Sequence, residues 1–238
     1  MRIDARIGDC ECSFFSAPNS RKVVVFLPSA SDKDIYPYYP RLSWENDLSG
    51  KVNVLYINDP FQHLDAYKTP MGSWYISPSG DFVLPEVAVL LQDFLSGKGI
   101  DEVLYYGSSM GGYAAVVLAS LHPGAKAIAE CPQLFLSGHP GSRYVYENFL
   151  RKTIDVETVE PLSFVRKSVG SQIRIFCSVQ DYHYKVHVLP FAEKVSACQE
   201  SEHVDIEFIG YKKPGYKSGH VALSKADALP LICTALKI

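Results

Sequence analysis

The sequence predicts a doubly wound α/β fold, one mainly parallel central sheet with helices on both faces and a small helical insertion. Three observations predict it. Short runs rich in Val, Ile and Tyr recur along the 238 residues. Most of these runs are continuously apolar rather than alternating, as strands covered on both faces require. Segments of helical spacing fall between them. The length suits one domain spanning residues 1–238.

The first 17 residues alternate and predict an antiparallel hairpin at the sheet edge. Strands follow at "KVVVFLPSA" (22–30), "KVNVLYIND" (51–59), "DEVLYYGSS" (101–109), "AKAIAECPQ" (125–133), "QIRIFCSVQD" (172–181) and "VDIEFIGY" (204–211). Between the second and third of these, Val87, Leu90, Leu91, Phe94 and Leu95 keep helical spacing, opened by Pro85 and stopped at Gly97. "GGYAAVVLASLH" predicts the next helix. "KVHVLPFAEKVSACQE" predicts one begun or broken near Pro190, and a last helix runs from about Val221 toward Leu236, with an irregularity at Pro230. Residues 59–84, rich in aromatics, Pro and Gly, read as a long ordered loop, and residues 134–170 as a small cap insertion. Long loops in a compact domain are usually functional.

Composition narrows the function. With 47% hydrophobic and 21% charged residues and a net charge of −3, the chain is ordinary for a globular protein and offers no basic footprint for nucleic acid. The N-terminus mixes charges into its first residues, and no run approaches the roughly 18 apolar residues of a membrane span, so a cytoplasmic location is expected. The six scattered cysteines are expected to be reduced. Cys10 and Cys12 form half of a metal-ligand pattern without a second pair, and no motif implies a metal or organic cofactor.

The chemistry concentrates in "YYGSSMGG". A strand that turns abruptly into a helix holds a serine at its tip, and the residues two before and two after must then be tiny, because strand and helix touch. Gly107 and Gly111 satisfy this around Ser109. Ser108 has Tyr106 and Met110 at the equivalent positions, so it reads as a small filler and Ser109 as the nucleophile. The bland alternative is a Gly-rich turn that binds an anion or merely reverses the chain. At this elbow the chain resembles the α/β-hydrolase superfamily, in element order over nearly its whole length.

A serine hydroxyl needs a base, and an imidazole near its working pKa serves. The resemblance implies that the base follows the last strand, which selects His220 in "KSGHVALS"; otherwise it reads as a polar helix-start residue. His183 and His187, four apart, read as a solvated pair, and His63, His122, His139 and His203 lack a comparable setting. Asp181, at a strand end between serine and histidine, matches the superfamily's order for the acid that orients the imidazole; alternatively it caps a turn. Glu130 is its understudy and Asp155 a third choice. The backbone N–H of Met110 should supply one oxyanion donor, and Ser29 or Ala30 the other, since Pro28 has none.

A further resemblance lies in "FLPSA", Arg41 with Trp44, "NDP" (58–60), "GSWY" (72–75), the elbow itself and "CPQ". These look like hydrolase-fold proteins associated with bacterial surface-glycan and capsule synthesis. That resemblance implies acyl groups on sugars as substrates, with Trp74, Tyr75 and Tyr36 stacking on sugar faces or lining an acyl pocket; the alternative is that these rings pack the loop. Three functions follow: a serine hydrolase of carboxylic esters, an acyltransferase to a sugar or lipid hydroxyl with the same trio, or a non-catalytic scaffold binding protein partners.

Overall fold

The computed structural model describes residues 2–32, 35–198, 204–212 and 220–238. His203 and the glycine-containing stretch at 213–219 lie outside the described residues.

The strands are β1 (Arg2–Ile7), β2 (Cys10–Phe15), β3 (Lys22–Phe26), β4 (Asn53–Ile57), β5 (Glu102–Ser108), β6 (Lys126–Glu130), β7 (Gln172–Ser178) and β8 (Asp205–Tyr211). They form one sheet in the order β1-β2-β4-β3-β5-β6-β7-β8. β1 pairs antiparallel with β2, and β2 antiparallel with β4. Every other ladder is parallel. The hairpin and the continuous apolar runs therefore occupy the places their patterns predict.

The helices are α1 (Glu45–Leu48), α2 (Leu84–Ser96), α3 (Met110–Leu121), α4 (Pro140–Asn148), α5 (Val156–Val159), α6 (Pro161–Val165), α7 (Leu189–Ser196) and α8 (Lys225–Leu236). Successive strand residues feed opposite cores, because side chains alternate across a sheet. Val23 and Val25 join the larger cluster with residues of α2, α3 and α7. Val24 and Phe26 join the other, with Trp44, Leu48, Ala228 and Ile232. Every residue of α3 from Met110 to Ser120 is buried, which explains a helix apolar all round.

Two parallel strands, β3 and β6, stop earlier than their apolar runs. β3 ends at Phe26, just before Pro28, which has no N–H to continue a ladder. β6 ends at Glu130 because Cys131 leaves the extended region at φ 41°. β5 ends at the elbow and β7 at Ser178. All four stop at the carboxyl rim, where the chain spends its residues on a site.

The last helix starts at Lys225 rather than Val221. Ser224 caps it, its hydroxyl accepting from the Asp227 N–H at 3.3 Å. Residues 221–223 instead hydrogen-bond to the strand ends: Tyr211 donates to the Val221 carbonyl at 2.7 Å, and the Leu223 N–H donates to Glu130 at 2.6 Å. Pro230 sits inside the helix. Helix α7 begins at Leu189 with Pro190 in its first turn, preceded by a wide π-helical turn at Tyr184–Val188. Residues 134–170 carry α4, α5 and α6 between β6 and β7. Among the described residues, no helix is long and apolar enough to cross a membrane.

Candidate active site

Ser109 stands between β5 and α3 with φ 57° and ψ −118°, a conformation a non-glycine residue adopts only when its surroundings impose it. Its main chain is tied down on both sides. The N–H donates to the Glu130 carbonyl at 2.9 Å, and the carbonyl accepts from Tyr113 at 3.1 Å and Gln133 at 3.3 Å. A Cβ on Gly107 would lie 2.3 Å from the carbonyl carbon and oxygen of Gly111, and one on Gly111 would lie 2.8 Å from the Leu27 and Pro28 carbonyl oxygens. The close approach that singles out Ser109 by its neighbours is thus present in the backbone. Gly107→Ala should destabilise the fold by about 3 kcal/mol or more, since the opposing atoms are backbone and cannot repack. A urea midpoint equal to that of the wild type would contradict this.

Ser108 points elsewhere. Its hydroxyl accepts from the Arg41 guanidinium at 3.3 Å.

Asp181 follows β7, 2% exposed, and His220 follows β8 with 41% of its side chain exposed. The His220 Nδ1 lies 2.8 Å from Asp181 Oδ2. The other carboxylate oxygen accepts the backbone N–H of His183 at 2.9 Å. Burial acts to raise the Asp181 carboxyl, but the hydrogen bonds from His220 and His183 outweigh it and hold the group below the usual carboxylate range. An ionised Asp181 requires Nδ1 of His220 to carry the proton, which leaves Nε2 as a base.

The two other candidate acids take different places. Glu130 is fully buried, and its carboxylate binds Tyr106, Leu223 and Arg41. Asp155 is the cap of α5, accepting from Glu157 at 3.0 Å. Met110, the first residue of α3, directly follows the elbow. Ser29 lies on the loop whose Leu27 and Pro28 carbonyls press on Gly111, and its own carbonyl accepts from Gln62 at 3.1 Å.

Several expectations are corrected. Trp74 and Tyr75 have no exposed surface, and both adopt positive φ. The Trp74 indole donates to Gln133 at 2.8 Å, and its ring would lie 2.9 Å from a Cβ on Gly141 of α4, so it is sealed beneath the insertion. These rings pack the 59–84 loop into the core, and no face is open to a substrate. Tyr36 is half-buried and lies tilted against His63, ring centroids 3.9 Å apart.

His183 and His187 are buried, not solvated. The His183 ring lies 4.3 Å from that of His220, 4.9 Å from that of His187 and 5.7 Å from that of His139. Its Nδ1 hydrogen-bonds the Cys131 carbonyl at 2.9 Å. Burial, then neighbouring imidazoles, push His139 down to about 4 and His187 down to about 3, and burial with His220 lowers His183 as well. The rings around His220 are therefore neutral at pH 7, which lets the packed aromatic edges tolerate one another.

Two groups of ligand-type atoms fall within 4.8 Å of one another among the described residues: Cys131, Cys177 and Asp181, and Asp181, His183 and His220. Both depend on Asp181, whose oxygens already hold His220 and His183. The Cys177 thiol is pushed far up by its hydrogen bond with Cys131 and by burial, so it stays protonated and is a poor ligand.

No protein-family profile and no curated protein sequence matches the chain. Solved structures do. A capsule O-acetyltransferase of Neisseria meningitidis serogroup A superposes with a TM-score of 0.70 at 18% identity, covering 99% of this chain and 94% of that one. A puromycin-hydrolyzing peptidase of Mycobacterium tuberculosis gives 0.65 at 14% identity, covering 99% of this chain and 38% of that one. The chain has the α/β-hydrolase fold. A glycosylation-associated protein complex of Streptococcus agalactiae gives 0.61 at 14% identity, with 99% and 44% covered.

Within the α/β-hydrolase fold, Ser109 after β5, Asp181 after β7 and His220 after β8 all stand at the carboxyl rim. The turn at 130–133 links them: it receives the Ser109 main chain and the His183 ring nitrogen. No sequence motif marks Glu130 as a structural tie or brings His139, His183 and His187 into one cluster. The Asp-x-His spacing at 181–183 is the local signal for His183, because an aspartate can bind the N–H two residues on.

Proposed function

We propose that the chain is a serine hydrolase that cleaves a carboxylic ester, an acyl group on a glycan being the favoured class, through an acyl-enzyme on Ser109. The observation that carries this reading is the 2.8 Å contact between Asp181 Oδ2 and His220 Nδ1 at the rim where the strained Ser109 elbow ends. Nε2 of His220 takes the Ser109 proton as Oγ attacks the acyl carbonyl carbon. The oxygen that gains charge is held by the Met110 N–H and by an N–H of the loop at Ser29. The C–O bond to the leaving alcohol then breaks, and the alcohol leaves with the proton from His220. Water repeats the sequence in reverse to free the acid and restore Ser109. Asp181 stays ionised and stabilises the imidazolium. The insertion at 134–170 is the natural cap over this rim.

A second reading has one observation in its favour: the likeness to the capsule O-acetyltransferase covers nearly all of both chains. There a sugar hydroxyl replaces water in the second half-reaction. An activated aryl acetate, supplied with and without an oligosaccharide acceptor, separates the two. The hydrolase reading expects free acetate as the product in both cases. An O-acetyl sugar formed at the expense of acetate would transfer the assignment to the second reading. No aryl-alcohol release at all would leave the scaffold, a role without chemistry.

A further inference from the structure

We propose that Glu130 is a positioning residue, a buried clasp that fixes the His220 segment against the strand that carries Ser109. This rests on the reading of Ser109, Asp181 and His220 as the reacting trio. Glu130 is fully buried at the end of β6 and touches both halves of the site. Its main-chain carbonyl accepts the Ser109 N–H at 2.9 Å. Its Oε2 accepts the Leu223 N–H at 2.6 Å, three residues after His220. Its Oε1 accepts from the Tyr106 hydroxyl of β5 and lies 3.5 Å from the Arg41 guanidinium.

Arg41 adds the third segment. Its guanidinium lies 5.2 Å from the Trp44 ring and 5.3 Å from the Tyr106 ring, and it donates to Ser108, the neighbour of the nucleophile. One carboxylate thus joins the elbow strand, the loop after β3 and the segment bearing the base. A fully buried carboxylate is tolerated only when paired and hydrogen-bonded, and each of these partners does that. The 221–223 stretch, diverted from the helical path its apolar pattern suggests, ends on this oxygen. The His220 side chain, by contrast, is 41% exposed, so among the described residues the Asp181 contact, the His183 ring and the anchoring of the following residues hold its place.

The experiment compares Glu130→Gln, Glu130→Asp and Glu130→Ala on an aryl acetate, with the rate of fluorophosphonate labelling measured in parallel. Glutamine keeps the length and one acceptor oxygen for the Leu223 N–H, whereas aspartate keeps the charge but is one methylene short. Ala and Asp should lose about 10²-fold in kcat with KM within about twofold, the scale of a misplacement of about 1 Å. Gln should recover activity to within about fivefold of the wild type. Loss in Gln equal to that in Ala would overturn the clasp, since charge rather than reach would then matter. Wild-type kcat in Asp would overturn it too, and the Gln–Asp contrast stands even where Ala does not fold. Failure of the wild type to label at Ser109 would overturn the trio itself, whereas equal labelling of wild type and Asp variant would overturn only the clasp.

Discussion

Replacing Ser109 by Ala is expected to lower ester turnover by about 10⁶-fold, if the loss measured for the nucleophile of a serine protease transfers. At φ 57° and ψ −118° the serine stands at the tip of the elbow, with its main chain held by Glu130, Tyr113 and Gln133. None of those bonds uses the hydroxyl, so Ser109→Ala should fold normally, and its melting temperature checks that. Ser108→Ala, one residue away, should keep turnover within about tenfold, because that hydroxyl only receives a hydrogen bond from Arg41, whose other partners remain. A large loss in the Ser108 variant with activity retained in the Ser109 variant would reverse the frame of the elbow.

Asp181→Asn should cost about 10⁴-fold in kcat, the precedent for an acid that fixes the tautomer of its histidine. The direction follows from the two ends of the side chain. Asparagine would keep its oxygen on the His183 N–H, where Oδ1 accepts at 2.9 Å, and so would present its NH₂ to His220 Nδ1. That nitrogen would become the acceptor, the proton would move to Nε2, and the imidazole could no longer take the serine proton. Because the hydrogen-bond count is preserved, the melting temperature should move little. A kcat ratio near unity, measured under saturating ester, would show that another group orients the base.

Much of the architecture was readable from the chain because its physics is local. Continuous apolar runs marked the parallel strands, alternation marked the hairpin, and the glycines at 107 and 111 marked the one place where a strand and helix could touch. Strand ends were not readable. Leu27 and Cys131 continue their apolar runs and still donate to Tyr106 and Phe176 of the neighbouring strands, and only Pro28 and the positive φ at Cys131 stop the strands there. The start of α8 was missed for a similar reason: Val221 to Leu223 fit a helical stripe, but the N–H of Leu223 is claimed by a carboxylate 93 residues earlier.

The site was legible in its order and not in its surroundings. Asp181 could be chosen by its place at a strand end between serine and histidine. The burial of His183 and His187 depends on the Cys131 carbonyl and the Phe135 N–H, each 52 residues away, which no local window contains. Trp74 and Tyr75 show the converse. An aromatic-rich loop reads equally as a wall facing ligand or as core, and here the indole N–H found Gln133 inside the protein.

In the proposed reaction one activated hydroxyl, that of Ser109, carries the chemistry. Treating the full chain with a fluorophosphonate and mapping the adduct by peptide mass spectrometry tests it most directly. One adduct per chain is expected, on Ser109, lost in His220→Ala. An unmodified Ser109 peptide, or an adduct on Ser108 or a cysteine instead, would contradict it.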